Sequence, residues 1–188
     1  MLLGDGGRSR NNFFVQHSTK QIEYALFKKE LLELITGKVV NTRQWMTKEG
    51  YGLIRLEPKL IPLTRVMVMR CYKNGIKTIA PNFLQYLTLQ GLAIWFMDDG
   101  SKSFKKTRGC IHGVEVTLNT YLPKEQNEIL ISFFKKQWDI HWGLNKSKGS
   151  YRLRMGTHEA RKFFALIEPW IIDSMKYKIG LQFDTAPT

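Results

Sequence analysis

Two short segments of this 188-residue chain end an apolar run in an aspartate followed by glycine. They are Leu2-Leu3-Gly4-Asp5-Gly6 and Phe96-Met97-Asp98-Asp99-Gly100. From Gly91 onward the second is apolar on every side, which marks a buried helix. Its two acids, however, fall at the C-terminal end, where the helix dipole is already negative. If Asp5 ends an equivalent helix beside it, two or three carboxylates converge with nothing local to neutralise them. A hard divalent cation resolves that repulsion, and Mg²⁺ favours one or two carboxylates together with waters and phosphate oxygens. A metal between acids in a basic protein suggests cleavage of phosphodiesters. The competing reading is a hairpin turn, since Asp-Gly is a common turn dipeptide after a buried strand. The pairing, the matched context and the charge balance favour the metal.

That charge balance is strongly basic: 29 Lys and Arg against 16 Asp and Glu give a formal net charge of +13. The cations are spread along the chain rather than gathered in a tail. Arg8, Arg10, Lys20, Lys28, Lys29 and Lys38 lie early, Lys102, Lys105, Lys106 and Arg108 lie mid-chain, and Lys146 and Lys148 come later between Trp142 and Tyr151. Such a spread favours a folded surface that neutralises phosphates and releases their counterions. At 43% hydrophobic and 12% aromatic residues the chain can bury a core, unlike a disordered one. The longest apolar runs, around Leu31–Ile35 and Leu92–Met97, fall far short of the roughly 20 residues that span a bilayer. Met1–Arg10 shows no signal-peptide pattern, so a protein that is not secreted is expected. Cys71 and Cys110 form no CxxC, which leaves a disulfide framework unsupported and a reducing compartment as the default. His17, His112, His141 and His158 have no metal-ligand spacing, and neither a GxSxG nor a P-loop motif occurs.

The elements that must position these acids can be read from period and punctuation. Lys20–Thr36 reads as a helix with Ile22, Leu26, Leu31, Leu34 and Ile35 on one face and Gly37 at its end. Lys38–Pro58 reads as a β-hairpin about Lys48-Glu49-Gly50, followed by a helix over Leu60–Cys71. Asn82–Asp99 reads as one long helix capped by Asn82. In the second half, Val114–Thr120 alternates as a strand and Pro123–Trp138 is helical. Asp139–Met155 is strand–turn–strand about Ser147-Lys148-Gly149, and Thr157–Ile172 is helical again. The order of elements therefore repeats as an αββαββα-like unit. Residues repeat with it: Asp5 and Asp99, Leu53-Ile54-Arg55-Leu56 and Arg152-Leu153-Arg154-Met155, then Lys77 and Lys178. The separation within each pair grows because Ser101–Gly113 is longer than Gly7–Asn12. Three matches in one order are far stronger evidence than any alone.

With the repeat in view, Gly91-Leu92-Ala93-Ile94-Trp95-Phe96-Met97-Asp98-Asp99-Gly100-Ser101-Lys102 resembles the second motif of single-chain LAGLIDADG homing endonucleases. Met1–Gly6 resembles the end of the first motif. Lys77, in Ile76-Lys77-Thr78-Ile79, and Lys178, in Met175-Lys176-Tyr177-Lys178-Ile179-Gly180, resemble the basic residues flanking the family's active sites. The resemblance covers nearly the whole chain. It implies an α+β fold of two pseudo-symmetric αββαββ-type repeats with curved antiparallel sheets, 1–85 and 86–188, whose motif helices pack together.

The implied activity is a site-specific double-strand break at a long DNA target, serving intron homing. Catalysis would rest on Asp5, Asp99, Lys77 and Lys178, with Mg²⁺ or Mn²⁺ held by Asp5 and Asp99 and by the neighbouring Gly4 and Asp98. Each sheet would lie in the major groove, where strand side chains read base edges or hold phosphates. Arg43, Trp45, Lys48 and Arg55 are the DNA-contact candidates of one half, and Asn145, Lys146, Lys148, Arg152 and Arg154 those of the other; a solvated hairpin face is the bland reading of each. The implied partner is double-stranded DNA, bound by a monomer with no membrane contact. Its location would be a mitochondrion or plastid, or bacterial or phage cytoplasm. Two alternatives stay open: an RNA-binding splicing maturase, or a DNA-binding relative without catalysis. The chain begins at the fourth position of the first motif, so either the product starts upstream or the motif helix lacks apolar packing worth several kcal/mol at about 25 cal/mol per Å².

Overall fold

The computed structural model describes residues 1–147 and 149–181, and the chain divides into two compact units, Met1–Phe83 and Leu84–Thr188. In the first unit, β1 (Gly6–Ser9) and β2 (Asn12–Ser18) precede α1 (Ile22–Thr36). Then come β3 (Asn41–Met46), β4 (Gly52–Glu57) and α2 (Pro62–Cys71), and the short ribbon β5 (Tyr72–Lys73) and β6 (Ile76–Lys77). The sheet order is β1-β2-β4-β3 and every pairing is antiparallel.

Alternation decides which residues enter the core, because successive strand side chains point to opposite faces. Along β2, Phe13, Val15 and His17 are buried, as are Ile54 and Leu56 on β4. Phe13, Val15, Ile54 and Leu56 pack with Leu2, Ala25, Leu32, Val40, Val68 and Cys71. Burial also pushes the Cys71 thiol above its ordinary range. α1 ends where expected, at Gly37 in the left-handed conformation with φ of 61°, which glycine adopts without a Cβ clash.

The buried side of α1 differs from the expected one. Tyr24, Ala25, Lys28 and Leu32 face inward, while Leu26, Leu34 and Ile35 are exposed. The apolar residues of α1 fall on more than one stripe, and the stripe chosen carries a lysine whose ammonium has a partner inside. A buried polar group is tolerated once it is hydrogen-bonded.

In the second unit, α4 (Leu89–Asp99) leads into β7 (Gly100–Thr107) and β8 (Cys110–Leu118), then α5 (Lys124–Trp138), β9 (Gly143–Ser147), β10 (Ser150–Met155) and α6 (Thr157–Ile167). The sheet order β7-β8-β10-β9 matches the first unit strand for strand. The aromatic core links Trp95, Phe134, Trp142 and Phe163, with Phe96 edge-on to Phe163 at 5.1 Å.

Three boundaries depart from expectation. Asn82–Asp99 is not one helix: α3 (Pro81–Leu84) stops, and α4 starts afresh at Thr88, whose hydroxyl accepts from the Gly91 N–H at 3.1 Å. Threonine is a good N-cap, and the local cap outweighed helical continuity. α6 ends at Ile167, with a 3-10 turn over Glu168–Trp170, as Pro169 cannot supply the next amide. The strands β1, β2 and β7 had no counterpart in the local reading, although Asn12–Ser18 alternates cleanly once it is paired.

Candidate functional site

In the second unit α4 is buried from Leu92 to Met97 and emerges at half-buried Asp98 and Asp99. Gly100 then turns directly into β7. A Cβ at Gly100 would lie 2.2 Å from the Phe96 ring and 2.5 Å from the Phe96 carbonyl oxygen, so the acid can sit at this junction only if glycine follows. Asn119 donates to the Asp99 carbonyl oxygen from its backbone amide at 3.2 Å and from Nδ2 at 3.3 Å. Asp99 Oδ2 is out of contact with solvent. Lys178, from the 3-10 turn Asp173–Lys178, donates from Nζ to the carbonyl oxygens of Met97, Asp98 (3.3 Å) and Gly100 (3.0 Å). One ammonium thus gathers the carbonyls on either side of the acid, at the end of a helix where positive charge is favoured.

The first unit builds the same arrangement on a different local backbone. Residues 2–5 form a hydrogen-bonded turn rather than the end of a helix, with the Gly4 and Gly6 amides both donating to the Met1 carbonyl oxygen. A Cβ at Gly6 would fall 2.9 Å from the Leu2 Cα and from the Met1 carbonyl oxygen. Lys77, on β6, donates to the carbonyl oxygens of Leu3 at 3.3 Å and Gly4 at 2.8 Å. Asp5 is half-buried, and its Oδ2 lies 3.4 Å from Nδ1 of His17. His17 was passed over in the sequence because no second histidine or acid stands at metal spacing from it. The inward phase of β2 is the signal that places it beside Asp5.

Both clusters offer hard oxygen donors, an aspartate carboxylate with adjacent main-chain carbonyls, and that donor chemistry fits Mg²⁺ or Mn²⁺. Asp5 with Gly4, and Asp99 with Asp98, could hold such an ion. The carbonyls of Gly4 and Asp98 also accept from Lys77 and Lys178, and a carbonyl oxygen has two lone pairs.

The outward sheet faces carry the nucleic-acid candidates. Arg43 pairs with Arg55 across β3 and β4, and Trp45 lies two residues along the same face. Arg55 is the hub: its guanidinium stacks on Phe14 at 3.8 Å and its Nε donates to the Gln16 side chain at 3.2 Å. Lys48 is exposed in the turn. Phe14 and Gln16 were not singled out beforehand, because β2 itself was not.

In the second unit Asn145 pairs with Arg152, and Arg154 lies on the same face. Glu115 receives both Arg154 Nε and Lys105 Nζ at 3.2 Å. Lys146 does not join them. It pairs with Tyr151 on the opposite face, the phase of Leu144 and Leu153, since an odd step in a strand inverts the side chain. Lys148 lies outside the described residues.

Comparison with known proteins gives a consistent answer. The LAGLIDADG DNA endonuclease family matches residues 1–163. A probable intron-encoded endonuclease 1 of Wickerhamomyces canadensis is 33% identical over 111 residues, covering 57% of this chain and 46% of the relative. A cytochrome b mRNA maturase bI2 of Debaryomyces hansenii is 28% identical over 193 residues, covering 95% of this chain and 70% of the relative. The chain thus spans about half the length of the first relative. Among solved structures, the homing endonuclease I-WcaI bound to its DNA recognition sequence superposes with a TM-score of 0.74 at 22% identity, over 98% of this chain and 83% of the other. At that identity the likeness establishes the fold.

Proposed function

Since the chain belongs to the LAGLIDADG DNA endonuclease family, we propose that it is a site-specific DNA endonuclease that makes metal-dependent double-strand breaks at a long target during intron homing. The observation that carries this reading is the doubled centre. Each unit delivers an aspartate at an Asp-Gly junction into the first strand of a sheet, and each holds that junction with one lysine on its carbonyls.

In this reading Asp5 and Asp99 are metal ligands, and a divalent cation held there would supply charge stabilisation at the scissile phosphate. Lys77 and Lys178 keep the ligand-bearing turns in one geometry and add positive charge beside them, so little reorganisation is left for the reaction. Arg43, Trp45 and Arg55 on one sheet, and Asn145, Arg152 and Arg154 on the other, contact the duplex in its major groove. The protein acts as a monomer, in an organelle of a eukaryotic host or in bacterial or phage cytoplasm. No described helix is long and apolar enough to cross a membrane.

Similarity to a maturase supports a second reading, an RNA-binding splicing cofactor. Selection from a randomised duplex library in Mg²⁺, with sequencing of the cut ends, separates the two. The endonuclease produces breaks at one long sequence. A maturase binds structured intron RNA and leaves the library intact.

A further inference from the structure

Lys28 is 0% exposed and His17 is 4% exposed, and neither has a part in the scheme above. β2 turns His17 inward in phase with Phe13 and Val15, while α1 turns Lys28 inward with Tyr24 and Leu32. The two meet inside the first unit. Lys28 Nζ lies 3.0 Å from His17 Nε2 and 4.4 Å above the Tyr24 ring centroid, and the His17 and Tyr24 rings are 5.1 Å apart. On its other side the imidazole reaches Asp5 through Nδ1, 3.4 Å from Oδ2.

An ammonium has three donors and no acceptor. The nitrogen it touches must therefore present a lone pair, which makes His17 Nε2 the acceptor. A neutral imidazole that accepts at Nε2 carries its proton on Nδ1, the nitrogen that lies 3.4 Å from the Asp5 carboxylate. We propose that Lys28 fixes the Nδ1–H form of His17 and through it anchors Asp5, so that Lys28 and His17 are positioning residues for the first metal-binding acid.

This inference rests on the reading of Asp5 as a metal ligand, and it has a sharp consequence. With its proton held on Nδ1, His17 cannot itself be a ligand; it is a donor that pins one carboxylate oxygen and so fixes the plane of the carboxylate. Partners behind a metal ligand commonly change metal affinity 10–100-fold when removed. Burial stiffens the Lys28–His17 half of the device, because a desolvated hydrogen bond has no competing water.

The test uses the full chain, ¹⁵N-labelled, without DNA. Long-range ¹H–¹⁵N correlation spectra assign the His17 nitrogens by their loss in His17→Gln. The expected wild-type spectrum shows a protonated Nδ1 and an unprotonated Nε2. In Lys28→Met the proton should shift to Nε2 or exchange between the two. Mg²⁺ titration, followed on the Asp5 carboxyl carbon in ¹³C-labelled protein, should then half-saturate at about tenfold higher concentration. His17→Leu should match Lys28→Met in that titration, and His17→Gln, which retains a donor, should stay near wild type.

A proton on Nε2 in the wild type would overturn the inference, and if Lys28→Met fails to fold, the Mg²⁺ titrations of His17→Leu and His17→Gln decide the positioning role. An unchanged Mg²⁺ titration in folded Lys28→Met would overturn the positioning role. Absence of any Mg²⁺ effect at Asp5 in the wild type would instead overturn the metal reading of Asp5, and the positioning role with it, while the proton assignment stood on its own spectrum.

Discussion

The ammonium of Lys77 lies 2.8 Å from the carbonyl oxygen of Gly4, the peptide that leads into Asp5. Lys178 holds the Asp98 carbonyl, the peptide leading into Asp99, in the same way. Hydrogen bonds from a charged donor contribute about 1.5–3 kcal/mol each. Lys77→Met, which removes two such bonds, and Lys178→Met, which removes three, should each lower stability by at least that amount in chemical denaturation and weaken cleavage in addition. A variant that loses stability and cleaves at the wild-type rate at a temperature where both are folded would reduce the lysine to a structural clamp.

Glycine at the acid–strand junction is required by space. Gly100→Ala must push against the Phe96 ring and carbonyl, and overpacking of this kind costs about 1–3 kcal/mol. Thermal unfolding should show the loss. An unchanged melting temperature would mean that the α4–β7 junction relaxes freely.

Local and non-local information divide clearly between these elements. The end of α1 at Gly37, the hairpin turn at Gly50 and the buried run Leu92–Met97 were legible because each is encoded within a few consecutive residues. The buried stripe of α1 was not, since the partner that Lys28 meets inside includes His17, which arrives from β2. For the same reason His17 carried no signal as a site residue. The strand phase of Lys146, opposite to that of Asn145, follows from its pairing with Tyr151 and is not set by composition. The two acids and two lysines were legible through repetition, which substitutes for structure by showing the same local pattern twice.

Recognition should depend on the outward residues selectively. Arg55→Ala removes a guanidinium held by Phe14 and Gln16, and Arg152→Ala removes its counterpart on β10. A lost phosphate contact reduces the salt dependence of binding by about one ion per site, whereas a lost base contact costs about 1–3 kcal/mol at one position of the target. Fluorescence anisotropy across salt concentrations tells these apart. Lys146→Ala, on the opposite face, should bind as wild type does.

Acid stability in the second unit draws on Asp139, beside Glu159 and Asp173, whose carboxyls are also held below their ordinary values. Asp139 caps the end of α5, and Lys135 first, then Lys162, holds its carboxyl well below the ordinary aspartate value of 3.8. A depressed folded-state value means that the contribution is full above that ordinary value and is lost as pH falls through the folded one. Asp139→Asn, which keeps tolerance of the positive φ of 53°, should melt lower than wild type at pH 7. The gap should close in strong acid. A gap that persists unchanged at low pH would place the effect in the backbone instead.

The central claim is that Asp5 and Asp99 form metal-dependent cleavage centres, and cutting of a plasmid carrying the selected target tests it most directly. Wild-type protein should linearise the plasmid in Mg²⁺ and not in chelator. Asp5→Asn and Asp99→Asn should bind the same duplex with linearisation reduced more than about 100-fold. Linearisation that survives in Asp99→Asn, or that proceeds at full rate in chelator, would contradict the account.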